Sequence, residues 1–151
     1  DLGFDAAINY KTTDDYRAAL DEAAPDGVDV YFDNVGGPIT DAVFTELNLD
    51  SRVAVCGQIA HYNDEGTPTG PRKLHGLIPV RARVQGLLVS DFATRFGEAG
   101  ERLGRWVASG DLEHRETVVE GLERAPDAFL GLFAGDNIGK QVVRVSAADG
   151  E

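Results

Sequence analysis

The firmest constraint on this chain is a strand, turn, helix, strand run in its first third. Val28-Asp29-Val30-Tyr31-Phe32-Asp33 places apolar and β-prone residues between Gly27 and the pair Gly36-Gly37, and Arg52-Val53-Ala54-Val55-Cys56 ends at Gly57 in the same way. Both are expected to be buried strands that stop at glycines. Between them Pro38 suits the first turn of a helix, and Ile39, Ala42, Val43 and Leu47 keep helical spacing up to the second strand. A helix joining two strands through short turns makes a right-handed crossover and a parallel pair. The expected class is therefore α/β, a doubly wound parallel sheet with helices on both faces.

The flanking sequence continues the alternation. Across residues 13–24, Tyr16, Ala19, Leu20 and Ala23 trace one helical face behind Thr13 as N-cap and Asp14-Asp15 in the first turn, with Pro25 and Gly27 as terminators. Asp1-Leu2-Gly3-Phe4 reads as the tail of a helix stopped by Gly3, and there is no Met anywhere, so we expect a C-terminal fragment of a longer protein. Residues 60–83 carry Gly66, Pro68, Gly70, Pro71 and Pro79 and no stable period, which predicts a long loop of the kind that often carries function. Residues 84–89 read as a third strand. Phe92, Phe96, Ala99, Leu103, Trp106 and Val107 predict a helix ending near Gly110, residues 126–134 a shorter one stopped by Gly135, residues 141–145 a last strand and 147–151 a frayed tail. One partial domain is expected over residues 1–146.

Charge narrows the partners. The 151 residues carry 14 basic against 26 acidic side chains, a formal charge of -12 that repels nucleic acid and anionic lipid alike. No apolar run approaches the roughly 20 residues of a membrane-spanning helix. Only Lys11, Lys73 and Lys140 are lysines, against eleven arginines, and the acidic excess is spread from end to end. That surface suits a halophilic source, with self-repulsion screened by salt, the alternative being an acidic mesophilic protein. A single cysteine, Cys56, cannot form an internal disulfide, so a cytoplasmic location is expected.

Several chemistries can be struck off. Ser51, Ser90, Ser109 and Ser146 include no G-x-S-x-G elbow. Cys56, His61, His75 and His114 show no metal-ligand spacing, so no metal is expected. Gly135-Asp136-Asn137-Ile138-Gly139-Lys140 resembles a phosphate loop only faintly, since Ala134 and Gln141 occupy required positions, and no G-x-G-x-x-G occurs. What remains are the carboxyl ends of the strands, where open parallel sheets bind ligands. Asn34 with Gly36-Gly37 could face a ligand or merely cap a turn. By themselves, Cys56 reads as a small buried apolar residue, Leu87-Leu88-Val89 as core strand and Asn137 as a turn residue.

Ile8-Asn9-Tyr10-Lys11, Phe32-Asp33-Asn34-Val35-Gly36-Gly37, Cys56-Gly57-Gln58-Ile59 with Tyr62-Asn63, Gln85-Gly86-Leu87-Leu88-Val89-Ser90-Asp91-Phe92 and Gly135-Asp136-Asn137-Ile138-Gly139-Lys140 stand in one order and spacing. In these segments the chain resembles the zinc-free medium-chain NADP-dependent reductases, the prostaglandin (leukotriene) reductase and 2-alkenal or curcumin double-bond reductase group. The resemblance runs from Leu2 to Val145. It implies the later part of a Rossmann-like NADP(H) domain, preceded in the full-length protein by a GroES-like barrel and the glycine-rich loop.

Carried over position by position, the resemblance sets Tyr10 beside the 2′-phosphate end of NADP and Asn34 near the pyrophosphate and ribose. Cys56, Gly57, Gln58, Ile59 and Tyr62 match the loop over the nicotinamide half, Leu87, Leu88 and Val89 a stretch whose backbone meets the carboxamide, and Asn137 a late cofactor contact. Gln58, Ala60 and His61 are not the commonest residues of their loop, and Leu87 replaces a frequent Phe, departures that bear on substrate shape. The implied activity is NADPH-dependent reduction of the C=C bond of an α,β-unsaturated ketone or aldehyde, with Tyr62 as catalytic hydrogen-bond donor. The alternatives are a quinone or carbonyl reductase of the same superfamily, a zinc alcohol dehydrogenase relative, or a fragment that only dimerises. A homodimer through the edge near residues 84–89 is expected.

Overall fold

The computed structural model describes residues 3–145, so the expected tail at 147–151 lies outside the described residues. The chain divides into two compact units, 1–93 and 94–151. The first unit contains helix α1 (Tyr16–Ala23), strand β1 (Val28–Asp33), helix α2 (Gly37–Val43), strand β2 (Leu47–Val55), helix α3 (Leu77–Val80) and strand β3 (Arg83–Gly86). β1, β2 and β3 form a parallel sheet in that order. The second unit contains helix α4 (Phe96–Ser109), strand β4 (Glu116–Glu120), helix α5 (Ala125–Ala134) and strand β5 (Lys140–Arg144), with β4 and β5 paired in parallel around α5.

The core of the first unit is Val43, Leu47 and Val53, with Leu20, Tyr31, Val55, Leu77 and Val80 packed against it. Tyr31, Val53 and Val84 are aligned across the three strands, as are Phe32, Ala54 and Gln85. Because side chains alternate faces, one face of the sheet meets the helices while Val30 and Phe32 on the other stay 63% and 59% exposed. β1 is thus buried on one face only, and not on both as its apolar run suggested.

Local chemistry explains the other departures. The N-cap of α1 is Asp15, whose carboxylate accepts from the backbone N–H groups of Arg17 and Ala18. Thr13 instead donates its hydroxyl to the Asn9 carbonyl at 2.8 Å, so it belongs to the preceding turn. Leu47 continues the helical spacing of α2 but opens β2, because the backbone turns after Val43 and Leu47 is drawn into the core. A short helix, α3, forms inside the stretch expected to be loop, with Pro79 tolerated in its single turn.

The third strand stops at Gly86. Leu87 still donates its N–H to the Val55 carbonyl at 2.8 Å, but Leu88 and Val89 are exposed and Val89 opens a 3-10 turn, so this stretch is not core strand. β4 carries little strand pattern in its sequence, because only Val118 and Val119 interrupt its polar residues. Gly110 and Gly135, which cap α4 and α5, have positive φ, as stop glycines should, while the helix tail expected before Gly3 falls on Asp1 and Leu2, outside the described residues.

Candidate functional site at the carboxyl edge of the first sheet

Asp33, Val55 and Gly86 are aligned across the ends of the three parallel strands. Asn34, Cys56 and Leu87 therefore leave the sheet at one level along one edge. This edge brings together Asn34, Cys56, Gly57, Gln58, Ile59, Leu87, Leu88 and Val89, with Tyr62 at the end of the 3-10 turn Ile59–His61.

The first two loops are stitched by their backbones. Cys56 and Gly57 both donate N–H to the Asp33 carbonyl, at 2.7 and 3.1 Å, and Ala60 donates to Val35 at 2.9 Å. The fit leaves no room for side chains at the glycines. A Cβ on Gly57 would stand 2.6 Å from Asn34 Oδ1, and one on Gly36 would run into the amide of Gln58. Gly36 and Gly37 also have φ of +72° and +62°, which disfavour an L side chain.

Under these loops lies a residue that composition and spacing did not single out. Asp33 is 1% exposed. Its Oδ1 accepts from the N–H groups of Val35 at 3.0 Å and Gly36 at 2.8 Å and from the Tyr31 hydroxyl at 3.1 Å. Its Oδ2 accepts from the Thr40 hydroxyl at 2.8 Å and Gln58 Nε2 at 3.4 Å. Burial works to raise its pKa, but these donors outweigh it and hold the carboxyl below its usual value. Burial together with the neighbouring Asp33 charge pushes the Tyr31 phenol up to about 12, against the opposing pull of its Thr40 hydrogen bond. The signal available in the sequence was an Asp ending an apolar strand just before a Gly-Gly turn, where only a heavily hydrogen-bonded carboxylate can be buried.

The remaining candidates are more exposed. Tyr62 is 65% exposed, and Cys56 is exposed and not the buried apolar residue expected from its type. Tyr10 lies in the turn before α1, where its carbonyl accepts from the Tyr16 hydroxyl at 3.1 Å. Asn137 belongs to the second unit, and its amide donates to the Gly139 carbonyl at 2.7 Å. Beside the edge, a cavity of about 570 Å³ opens between the start of α2, His61 and the loop at Pro68 and Pro71.

Residues 2–143 match the zinc-binding dehydrogenase family, and the chain belongs to that family. It is 47% identical over 145 residues to the NADP-dependent 2-alkenal reductase of Nicotiana tabacum, covering 96% of this chain and 42% of that protein. The NADPH-dependent curcumin reductase of Escherichia coli (strain K12) is 39% identical over 153 residues, covering 98% of this chain and 44% of the relative. The crystal structure of CurA in complex with NADPH from Vibrio vulnificus superposes with a TM-score of 0.85 at 39% identity, over 95% of this chain and 44% of that one. The fold is thus the Rossmann-like cofactor-binding domain of this family, and the chain spans less than half the length of these relatives.

The metal in the family's name does not fit these residues. Among the described residues no three His, Cys, Asp or Glu side chains stand together as a ligand set. Two of the histidines are engaged locally, His61 Nδ1 with Asp64 at 2.8 Å and His75 Nδ1 with the Arg72 carbonyl at 3.2 Å.

Proposed function

We propose that this chain is the cofactor-domain part of an NADPH-dependent reductase that saturates the C=C bond of α,β-unsaturated ketones and aldehydes. The observation that supports it most is the single carboxyl edge on which the loops after β1, β2 and β3 converge, in a chain nearly half identical to a 2-alkenal reductase. The donor set fits a dinucleotide: an exposed Asn34 amide, close-packed glycine backbone and an exposed tyrosine hydroxyl.

In this reading Tyr10 lies toward the 2′-phosphate end of NADP(H), Asn34 near the pyrophosphate and ribose, and Cys56, Gly57, Gln58, Ile59 and Tyr62 along the nicotinamide half. The backbone of Leu87, Leu88 and Val89 meets the carboxamide, and the resemblance makes Asn137 a further cofactor contact. Bound NADPH would supply the hydride for the β-carbon of the substrate, and a proton from solvent would complete the α-carbon. Tyr62 donates its O–H to the substrate carbonyl oxygen, where negative charge develops. The loops hold substrate against cofactor, an advantage worth up to roughly 7–11 kcal/mol.

The surroundings in this reading are cytoplasmic and saline, as the lone thiol and the lysine-poor acidic surface suggest. No helix among the described residues is long and apolar enough to cross a membrane. A second copy pairs along β3, which closes one side of the three-stranded sheet and is exposed at all four residues. Size measurement of the full-length protein in molar salt tests this pairing, with a dimer expected and a monomer contradicting it.

NADPH consumption by the full-length protein in molar salt, with enones and saturated aldehydes as acceptors, tests the activity. Enone-dependent consumption is expected. Consumption with aldehydes or quinones alone would move the activity to the carbonyl or quinone reductases, and stoichiometric zinc would move it to the zinc alcohol dehydrogenases. Tyr62→Phe should lower kcat with little change in NADPH affinity, and an unchanged kcat would remove Tyr62 from the donor role. The isolated chain should be inactive.

A further inference from the structure

We propose that Asp33 is the positioning residue of the cofactor edge, a buried carboxylate that clamps the loops after β1 and β2 into one geometry and so sets the affinity for NADPH. The proposal rests on the cofactor reading above but concerns a residue that would not touch the cofactor. Among the described residues, the Asp33 side chain binds both loops and α2 at once: Val35 and Gly36 from the first loop, Gln58 from the second and Thr40 from the helix. Its carbonyl takes two more bonds from Cys56 and Gly57. With Gly36 seated against Gln58 and Gly57 against Asn34, the two loops cannot shift independently. Without the carboxylate, the Val35 and Gly36 N–H groups lose their acceptor, and only the backbone bonds from Ile59 and Ala60 still hold the first loop and Asn34 in place. Preorganisation of this kind lowers the ordering cost of binding, so its loss falls on ligand affinity as well as on stability.

The test uses the full-length protein, with NADPH affinity from fluorescence titration well below the melting temperature. Asp33→Ala is expected to raise the NADPH Kd about tenfold or more, to raise the NADPH KM in parallel, and to leave the enone KM at saturating NADPH within about twofold. Asp33→Asn keeps the shape and one acceptor oxygen for Val35 and Gly36, and Gln58 can turn its amide to match, so Kd should recover to within about threefold of wild type. Val53→Ala serves as the control, because it lowers the melting temperature through the core without touching either loop.

An alanine variant that folds and binds NADPH within twofold of wild type overturns the proposal. So does a Val53→Ala protein that binds as weakly, or an asparagine variant as weak as the alanine one. Should Asp33→Ala fail to fold, Thr40→Val carries the test by removing the nearest donor to Oδ2, with about a threefold rise in Kd expected and no change overturning the idea. A wild-type protein that does not bind NADPH overturns the cofactor reading and this proposal together, whereas wild-type binding with insensitive variants overturns this proposal alone.

Discussion

In the first unit, α1, α2, α3 and the sheet enclose Val43, Leu47 and Val53, whereas in the second only Ala128 reaches full burial among the described residues. Helix α5 leaves Phe129, Leu130, Leu132 and Phe133 exposed on more than one side, although Phe129 and Phe133 meet edge to face at 5.3 Å. The first unit is held by side-chain packing and a buried polar cluster. The second is tied by hydrogen bonds, through the β4–β5 ladder, the Thr117 hydroxyl paired with the Ile138 backbone and the turn that delivers the Lys140 N–H to the Arg115 carbonyl at 2.8 Å. A glycine should therefore matter most in the second unit and a core side chain in the first.

The sharpest way to break this contrast is Gly139→Ala. Gly139 has a φ of +71°, and a Cβ there would collide with the Arg115 carbonyl. The full-length protein should lose more than about 2 kcal/mol in chemical denaturation. Hydrogen exchange should rise first in β4 and β5, and exchange rising first in β1 and β2 would contradict the division. Val53→Ala should cost about 2 kcal/mol, from lost methyl burial plus the void left in a site 2% exposed, with the exchange rising in the first unit.

A smaller effect follows from pH. Asp33 is held below the usual carboxylate range, so its contribution to stability is complete above the ordinary value and disappears as pH falls through the lowered one. Tyr31 is pushed up to about 12, so its contribution is complete below the ordinary phenol value near ~10 and is lost as pH rises from there through 12. Melting temperature against pH should show both declines, and Tyr31→Phe should abolish the alkaline one. The smallest expected effect is at Ser51, 1% exposed with no partner for its hydroxyl. Ser51→Ala should leave the melting temperature unchanged or raise it, and a loss above about 1 kcal/mol would mean that this hydroxyl has a partner.

The sequence was most legible where glycine and proline punctuate it. Gly27, Gly36, Gly57, Gly110 and Gly135 each mark an observed boundary, because a positive φ or a close approach favours glycine there. Periodicity misled at Leu47, where the spacing of α2 runs on into a strand, since one apolar residue suits either element and only the tertiary core decides. β4 was illegible because a short strand of two valines among charged residues carries too little apolar pattern. At the candidate site, the ends of β1 and β2 at Asn34 and Cys56 were legible from the glycines that follow them, and the resemblance alone set Leu87, Leu88 and Val89 beside them. The role of Asp33 was not, because what marks it is the convergence of donors from Tyr31, Val35, Gly36, Thr40 and Gln58, a property of the folded edge.

The central claim, that this edge holds the cofactor, is tested most directly by hydrogen exchange on the full-length protein with and without NADPH. The expected result is slowed exchange at residues 34–37, 56–62 and 87–89, with the exposed face carrying Val30 and Phe32 unchanged. Protection absent from that edge, or confined to residues 64–75, would contradict the account.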